Sequence, residues 1–221
     1  MCIRDRVFPG LRELLSLSAF YKHFTDPIEQ VIISTAANTE ITWKNVEQAQ
    51  LFGVEFEAKK NLGSWSKSLR HFNAAFNATW INSATSIQED ELLEIQATDP
   101  DHLSTRPMYG QSPYIVNGIV NYANDSLGWS VNAGFNSRGP KLVLLTPGGT
   151  PAVYAQPRGA VDVSVTKNLG ENFTLKIKGR NLLDPTYRQT YTFKGEEYNF
   201  QSFQLGRTFG VGVSYNFTES E

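Results

Sequence analysis

Residues 209–217 read FGVGVSYNF: Phe209, Val211, Val213, Tyr215 and Phe217 are apolar, with Gly210, Gly212, Ser214 and Asn216 between them. Such period-2 alternation marks a strand with one face in an apolar medium and the other in a polar space. The same pattern recurs along the chain. Phe173, Leu175 and Ile177 interleave with Thr174, Lys176 and Lys178, and Val161, Val163 and Val165 with Asp162, Ser164 and Thr166. Trp129, Val131, Ala133 and Phe135 interleave with Ser130, Asn132, Gly134 and Asn136. Tyr114, Val116, Gly118, Val120 and Tyr122 share a parity opposite to Asn117 and Asn121. Phe72, Ala74, Phe76, Ala78 and Trp80 alternate with Asn73, Ala75, Asn77 and Thr79, and Phe52, Val54, Phe56 and Ala58 with Gly53, Glu55, Glu57 and Lys59. Leu11 to Phe24 is strand-like but alternates less cleanly. The pattern predicts eight strands, most of them near the about 9 to 11 residues of a tilted spanning strand.

The connections alternate in length. NLGSWSKS, NDSLG and NLGEN are short and rich in Asn, Gly and Ser, as tight turns require. Between them lie long connections at roughly 25–48, 82–111, 138–156 and 184–202. Outer-membrane barrels sort their connections this way, with short periplasmic turns and long outer loops. Each connection then makes a hairpin, the meander runs up and down in sequence order, and the C-terminus lies in the periplasm. The apolar face places Trp80, Tyr114, Tyr122, Trp129, Phe173 and Phe217 near strand ends, with Val and Ala between. This resembles paired aromatic girdles at the two membrane interfaces. A soluble sandwich would use the same rings as core, so the loop sorting is what favours lipid.

Composition removes other classes. The 221 residues carry a net charge of -2 without a basic block, which gives no reason to expect nucleic acid. Mean hydropathy is negative and every apolar run is short, which excludes a transmembrane helix and leaves a barrel open. The opening MCIRDR lacks the apolar stretch of a signal peptide. Back-translated, it resembles read-through of a transposon mosaic-end sequencing tag. Residues 1–6 are therefore expected to be foreign, Cys2 with them, and the native chain to begin upstream of Val7. Residues 7–217 are expected to be barrel and 218–221 a tail.

Four motifs point to one family. GVEFE at 53–57, GQSPYIVN at 110–117, GRNLLD at 179–184 and the closing GRTFGVGVSYNF resemble the C-terminal barrel of TonB-dependent receptors. The resemblance runs from about Leu11 to Phe217. It implies an all-β fold, an antiparallel up-and-down transmembrane β-barrel fragment of about eight strands from a barrel of about 22. It also implies import of a scarce ligand (siderophore, cobalamin, glycan or peptide) powered through TonB, which contacts a plug region expected upstream. The implied partners are outer-membrane lipid and, through the C-terminal strand, the barrel-assembly machinery. That strand departs from the family by continuing with TESE after Phe217. An isolated fragment of this kind is expected to form an open sheet with two unpaired edges, one at Leu11–Phe24 and one at Phe203–Phe217.

No catalytic, metal or cofactor constellation emerges. His23, His71 and His102 lack ligand spacing. The acidic stretch EDELLE at 89–94, followed by Asp99, Asp101 and His102, reads as a solvated acidic loop, since its spacing matches no ion loop. The Gly pair of TPGGTP at 146–151 has no helix behind it to hold phosphate. Ligand contacts would come from outer loops and upper lumen residues: Tyr109, Arg138, Lys141, Tyr154, Arg158, Tyr187, Arg188 and Tyr191. These aromatic and arginine side chains suit sugar, catechol or carboxylate, and suit ordinary loop packing equally. Two other readings remain: a small eight-stranded outer-membrane anchor or adhesin barrel, and a soluble β-sandwich binding carbohydrate.

Overall fold

A computed structural model describes residues 2–6, 13–34, 39–146 and 150–217. Its strands in chain order are β1 (Cys2–Arg6), β2 (Leu14–Thr25), β3 (Ile28–Ser34), β4 (Thr39–Asn45), β5 (Gln48–Asn61), β6 (Phe72–Ser86), β7 (Thr105–Arg106) and β8 (Tyr114–Asn124). There follow β9 (Trp129–Arg138), β10 (Lys141–Leu144), β11 (Val153–Ala155), β12 (Arg158–Leu169), β13 (Phe173–Arg180), β14 (Tyr187–Phe193), β15 (Glu196–Phe203) and β16 (Thr208–Tyr215). One helix, α1 (Glu89–Gln96), precedes β7. The eight expected strands are β2, β5, β6, β8, β9, β12, β13 and β16, hydrogen-bonded in that order in one sheet with every neighbour antiparallel. The up-and-down meander is observed.

The sheet is open: β16 pairs with β13 and does not meet the first strands. The expectation of two bare edges needs one correction, because β1 lies antiparallel on β2 with Cys2 opposite Phe20 and Arg6 opposite Ser16. An edge strand offers a row of free N–H and C=O groups, and the five residues of β1 satisfy part of that row.

Register gathers the alternating residues into two continuous faces. Leu17, Phe56, Ala78 and Val116 form one apolar row, and Val165, Ile177 and Val211 continue the same face farther along the sheet. No described element packs over this face: Leu17 is 57 % exposed, Val211 74 % and Val213 70 %. A sandwich would pack a second sheet here, so the soluble alternative fails on its own criterion.

Aromatic rings cluster at the two margins of the apolar face. At the short-turn end Phe72 meets Tyr122 at 4.9 Å and Phe173 meets Tyr215 at 4.7 Å; at the long-loop end Phe52 packs edge-on to Trp80 at 6.2 Å. Phe72 and Trp80 stand eight residues apart, about 26 Å of strand or about 20 Å of depth at a tilt of about 40°. Lys60 and Lys167 are cations on the apolar parity, and both sit at the short-turn end. Lys167 Nζ lies 4.9 Å from the Trp129 ring and donates to the Leu127 carbonyl, while Lys60 Nζ lies 5.8 Å from the Trp65 ring. Both side chains run along the sheet toward the interface, as amphipathic stems do.

The opposite face is polar. Rows of asparagine cross it: Asn77, Asn117 and Asn136 are linked in series, Asn121 accepts from Asn132, and Asn61 donates to Asn73 at 3.0 Å. Gly53, from GVEFE, sits under the Phe20 ring on this face; a Cβ there would lie 2.3 Å from Phe20 Cζ.

The long connections are structured, which alternation did not reveal. Within the first of them, β3 and β4 pair antiparallel, Ile28 opposite Asn45 and Ser34 opposite Thr39. The stretch read as a solvated acidic loop is instead α1, with three acids in its first turn, where the helix dipole favours negative charge. Two separate connections supply β10–β11 and β14–β15, which join in one four-stranded sheet. The buried core lies at this end, in Val46, Ala49, Leu51, Ile81, Ile87, Leu142, Leu145, Val153 and Ala155.

Candidate functional site

The long loops are tied into a single cluster by backbone bonds between different connections. Ile32 N donates to Leu145 O at 2.9 Å, Gly110 N to Leu142 O at 2.9 Å, and Gln156 N to Arg188 O at 2.8 Å. At its centre Arg106 donates to Glu29 at 2.6 Å and to Glu91 of α1 at 3.4 Å. Glu91 also pairs with Lys44 of β4 at 3.4 Å. Arg106 Nε is buried without a partner among the described residues. Three elements distant in sequence are thus held by one guanidinium.

Two cavities flank this ion cluster, and Arg106 and Glu91 line both. One, of about 420 Å³, reaches Tyr154, Lys194 and the His102–Asp99 pair. The other, of about 460 Å³, lies against Trp43 and Lys44. Burial pushes the Tyr154 phenol above its ordinary value, partly opposed by Arg106; burial and then the Glu29 carboxylate push Tyr109 the same way. Both tyrosines therefore present neutral hydroxyls at neutral pH.

The eight candidate residues separate into groups. Tyr154 lines the cavity of about 420 Å³, while Tyr109 donates its hydroxyl to Gln30 at 2.8 Å and serves loop packing. Tyr187 packs on Phe203 at 4.8 Å, Tyr191 stacks on Tyr198 at 5.4 Å, and Arg188 pairs with Glu197 at 2.8 Å, so all three are engaged within the β14–β15 hairpin. Lys141 opens β10. Arg138 and Arg158 stand opposite each other at the loop ends of β9 and β12. The cavity residues Arg106 and Lys194, and the buried Glu29 that pairs with Arg106, escaped sequence reading because their placement depends on loop–loop contacts that no periodicity encodes. The Gly pair of TPGGTP lies outside the described residues.

Two of the family-like motifs meet at the neck of the last long connection. Asn181 and Asp184 take left-handed φ values of 55° and 45°, which Asn and Asp tolerate best after glycine. Asp184 Oδ1 accepts from Gly206 N at 2.9 Å, Asn181 Nδ2 donates to Gly206 O at 2.7 Å, and Arg207 Nε donates to Leu182 O at 2.9 Å. GRNLLD and GRTF thereby clasp the ends of residues 181–207, where β13 stops and β16 begins. The family model described as TonB dependent receptor-like, beta-barrel matches residues 5–182.

This chain belongs to the TonB-dependent receptor β-barrel family.

Solved receptors share the fold. The ferric yersiniabactin uptake receptor FyuA from Yersinia pestis superposes with a TM-score of 0.64 at 20% identity, over 98% of this chain and 29% of that one. The ferric enterobactin receptor PfeA from Pseudomonas aeruginosa, as a mutant, gives 0.58 at 16% identity, over 98% and 30%. The outer membrane transporter YddB from Escherichia coli gives 0.54 at 12% identity, over 98% and 32%. The chain thus spans about a third of the length of these solved proteins. No curated protein sequence matches it.

Proposed function

We propose that this chain is the C-terminal wall of an outer-membrane receptor that imports a scarce ligand with energy from TonB. The observation that carries the reading is the polarity of the structure along the strands. The middle of the sheet has a bare apolar face margined by rings, while the buried core lies at the long-loop end, beside two cavities that share Arg106 and Glu91. A membrane protein that captures a ligand outside the cell needs that division. The long loops then face outward, the C-terminus faces the periplasm, and the closing strand is the element offered to the barrel-assembly machinery. Plug and TonB contact belong to other parts of such a receptor, about three times the length of this chain.

The test is uptake by the full-length receptor. Expressed in a Gram-negative strain stripped of its own receptors, it should restore growth on one of a panel of siderophores, cobalamin or glycans. That growth should vanish when TonB is deleted. Growth that persists without TonB, or a receptor recovered only from the soluble fraction, would refute the proposal.

A further inference from the structure

The bare apolar face is not smooth. Ala58, Phe76, Gly118, Phe135 and Val161 are register partners in one row across β5, β6, β8, β9 and β12. Both rings of that row are engaged on the side away from Gly118. Phe76 meets the Phe56 ring of β5 at 6.2 Å, and a Cβ added to Gly159 of β12 would lie 3.1 Å from Phe135 Cε2. Between the two rings, a Cβ on Gly118 would meet nothing within 4 Å. The result is a hollow of about 540 Å³ that includes Ala74, Gly118 and Ala133 between the rings. An apolar hollow left empty forfeits dispersion contacts along its lining, and a hydrocarbon chain restores them.

The hollow reaches the short-turn margin at Lys60, Leu62 and Trp65. Asn61 builds this end: its side chain accepts from Gly63 N at 2.9 Å and donates to Arg70 O at 3.1 Å, closing the turn that carries Trp65. Lys60 Nζ stands 5.8 Å from the Trp65 ring centroid and 3.5 Å from Glu13 Oε2. The side chains of Lys60 and Glu13 are 37 % and 31 % exposed. A separation of 3.5 Å is long for a charge-assisted bond, and both groups have capacity beyond it, the ammonium in its other N–H donors and the carboxylate in its remaining lone pairs. Lysine and tryptophan at this depth are residues suited to the headgroup level.

We propose that the hollow holds one diacyl phospholipid with a phosphoethanolamine headgroup, drawn from the leaflet that meets the short turns. An acyl chain fills the space between Phe76 and Phe135. The phosphodiester takes Lys60 beside the Trp65 ring, and the primary ammonium takes Glu13. The opposite charges of Lys60 and Glu13 select this headgroup. A purely anionic lipid sets its charge against Glu13, and a quaternary ammonium has no N–H to donate to the carboxylate. The inference rests on the receptor reading for the membrane around this face, and it concerns the lipid side of the wall, not the transported ligand.

Native mass spectrometry of the purified full-length receptor in detergent tests this, with phosphatidylethanolamine, phosphatidylglycerol and phosphatidylcholine of matched chains as probes. Phosphatidylethanolamine should be retained at least tenfold more tightly than either other lipid. Gly118→Leu fills the hollow and should lower that affinity at least tenfold, while Val165→Leu elsewhere on the same face should leave it within twofold. Glu13→Lys sets a second cation beside Lys60 and should shift the preference to phosphatidylglycerol. Heat-modifiable gel migration checks that each variant assembles. If Gly118→Leu does not, Glu13→Lys decides, because an exchange of headgroup preference is not a result that misfolding produces. Equal retention of the three lipids, wild-type affinity in an assembled Gly118→Leu, or an unchanged preference in Glu13→Lys would overturn the proposal. Neither TonB nor a transported ligand enters these measurements, so failed uptake and failed lipid retention are separate results.

Discussion

Replacing Arg106 with alanine should loosen the loop cluster while leaving the membrane strands intact. The side chain of Arg106 is 10 % exposed and that of Glu29 3 %. The substitution leaves Glu29 buried with one remaining long bond, from Tyr109 N at 3.4 Å. Removing one partner of a buried ion pair costs about 3 to 5 kcal/mol, because the survivor keeps its desolvation penalty and loses the compensating charge. Glu91 is less affected, since it is more exposed and keeps Lys44. Taking the lower bound, the opening equilibrium of the cluster should rise about a hundredfold. Amide hydrogen exchange on the full-length receptor reads this out: residues 28–34 and 105–110 should lose protection, while Val116 and Val131 in the sheet serve as internal controls. The double variant Arg106→Met/Glu29→Leu removes both charges and should recover most of the loss. An Arg106→Ala change below about threefold, or a double variant as damaged as the single, would show that the ion pair does not hold the loops together.

Other substitutions test the faces and the neck. Val213→Arg should cost about 2 to 4 kcal/mol if it lies near the bilayer midplane, whereas Ser214→Arg on the polar face should be tolerated; equal damage to assembly would reverse the assignment of faces. Asp184→Ala loses the bonds from Gly206 N and Asn181 Nδ2 and places alanine at a left-handed φ, for about 2 to 4 kcal/mol in refolding equilibria. Asp184→Gly should recover the backbone part of that cost. Gly53→Val should displace the Phe20 ring and cost about 1 to 3 kcal/mol, relieved by Phe20→Ala. Raising pH through the ordinary tyrosine range should weaken the loop cluster, because burial raises the folded pKa of Tyr154 and the stability present below its unfolded pKa is lost as pH climbs toward the folded one. Tyr154→Phe should flatten that dependence in thermal scans.

Strand order was legible in the sequence because alternation is a local property that a sheet with two unlike faces imposes on every strand. Val54, Ala78 and Val116 need no knowledge of one another to be apolar, yet register places them on one face. The loop strands obey no such rule. In β14 the tyrosines at 187 and 191 share a parity, but the β14–β15 register shifts between Gln189 and Thr190 and breaks the pattern a reader would follow. The helix at Glu89–Gln96 was hidden by its acidity, since EDELLE reads as solvated until Arg106 and Lys44 are known to lie beside Glu91. The candidate arginines were visible as residues. Their opposition across β9 and β12 was not, because it follows from a register that the sequence states for no single strand.

The distribution of burial follows from the solvent each part of the chain meets. Where lipid covers the apolar face, no protein core is required, and side chains such as Val211 and Val213 need only be apolar and shaped for the interface margins. Strand pairing there rests on backbone bonds, which hydrocarbon cannot replace. Beyond the aromatic margin water returns, and the loops must bury apolar surface against one another to hold any shape at all. Leu142, Leu145 and Val153 do this in a cluster drawn from several connections. Buried charge is tolerated in that cluster only in paired form, as Glu29 with Arg106.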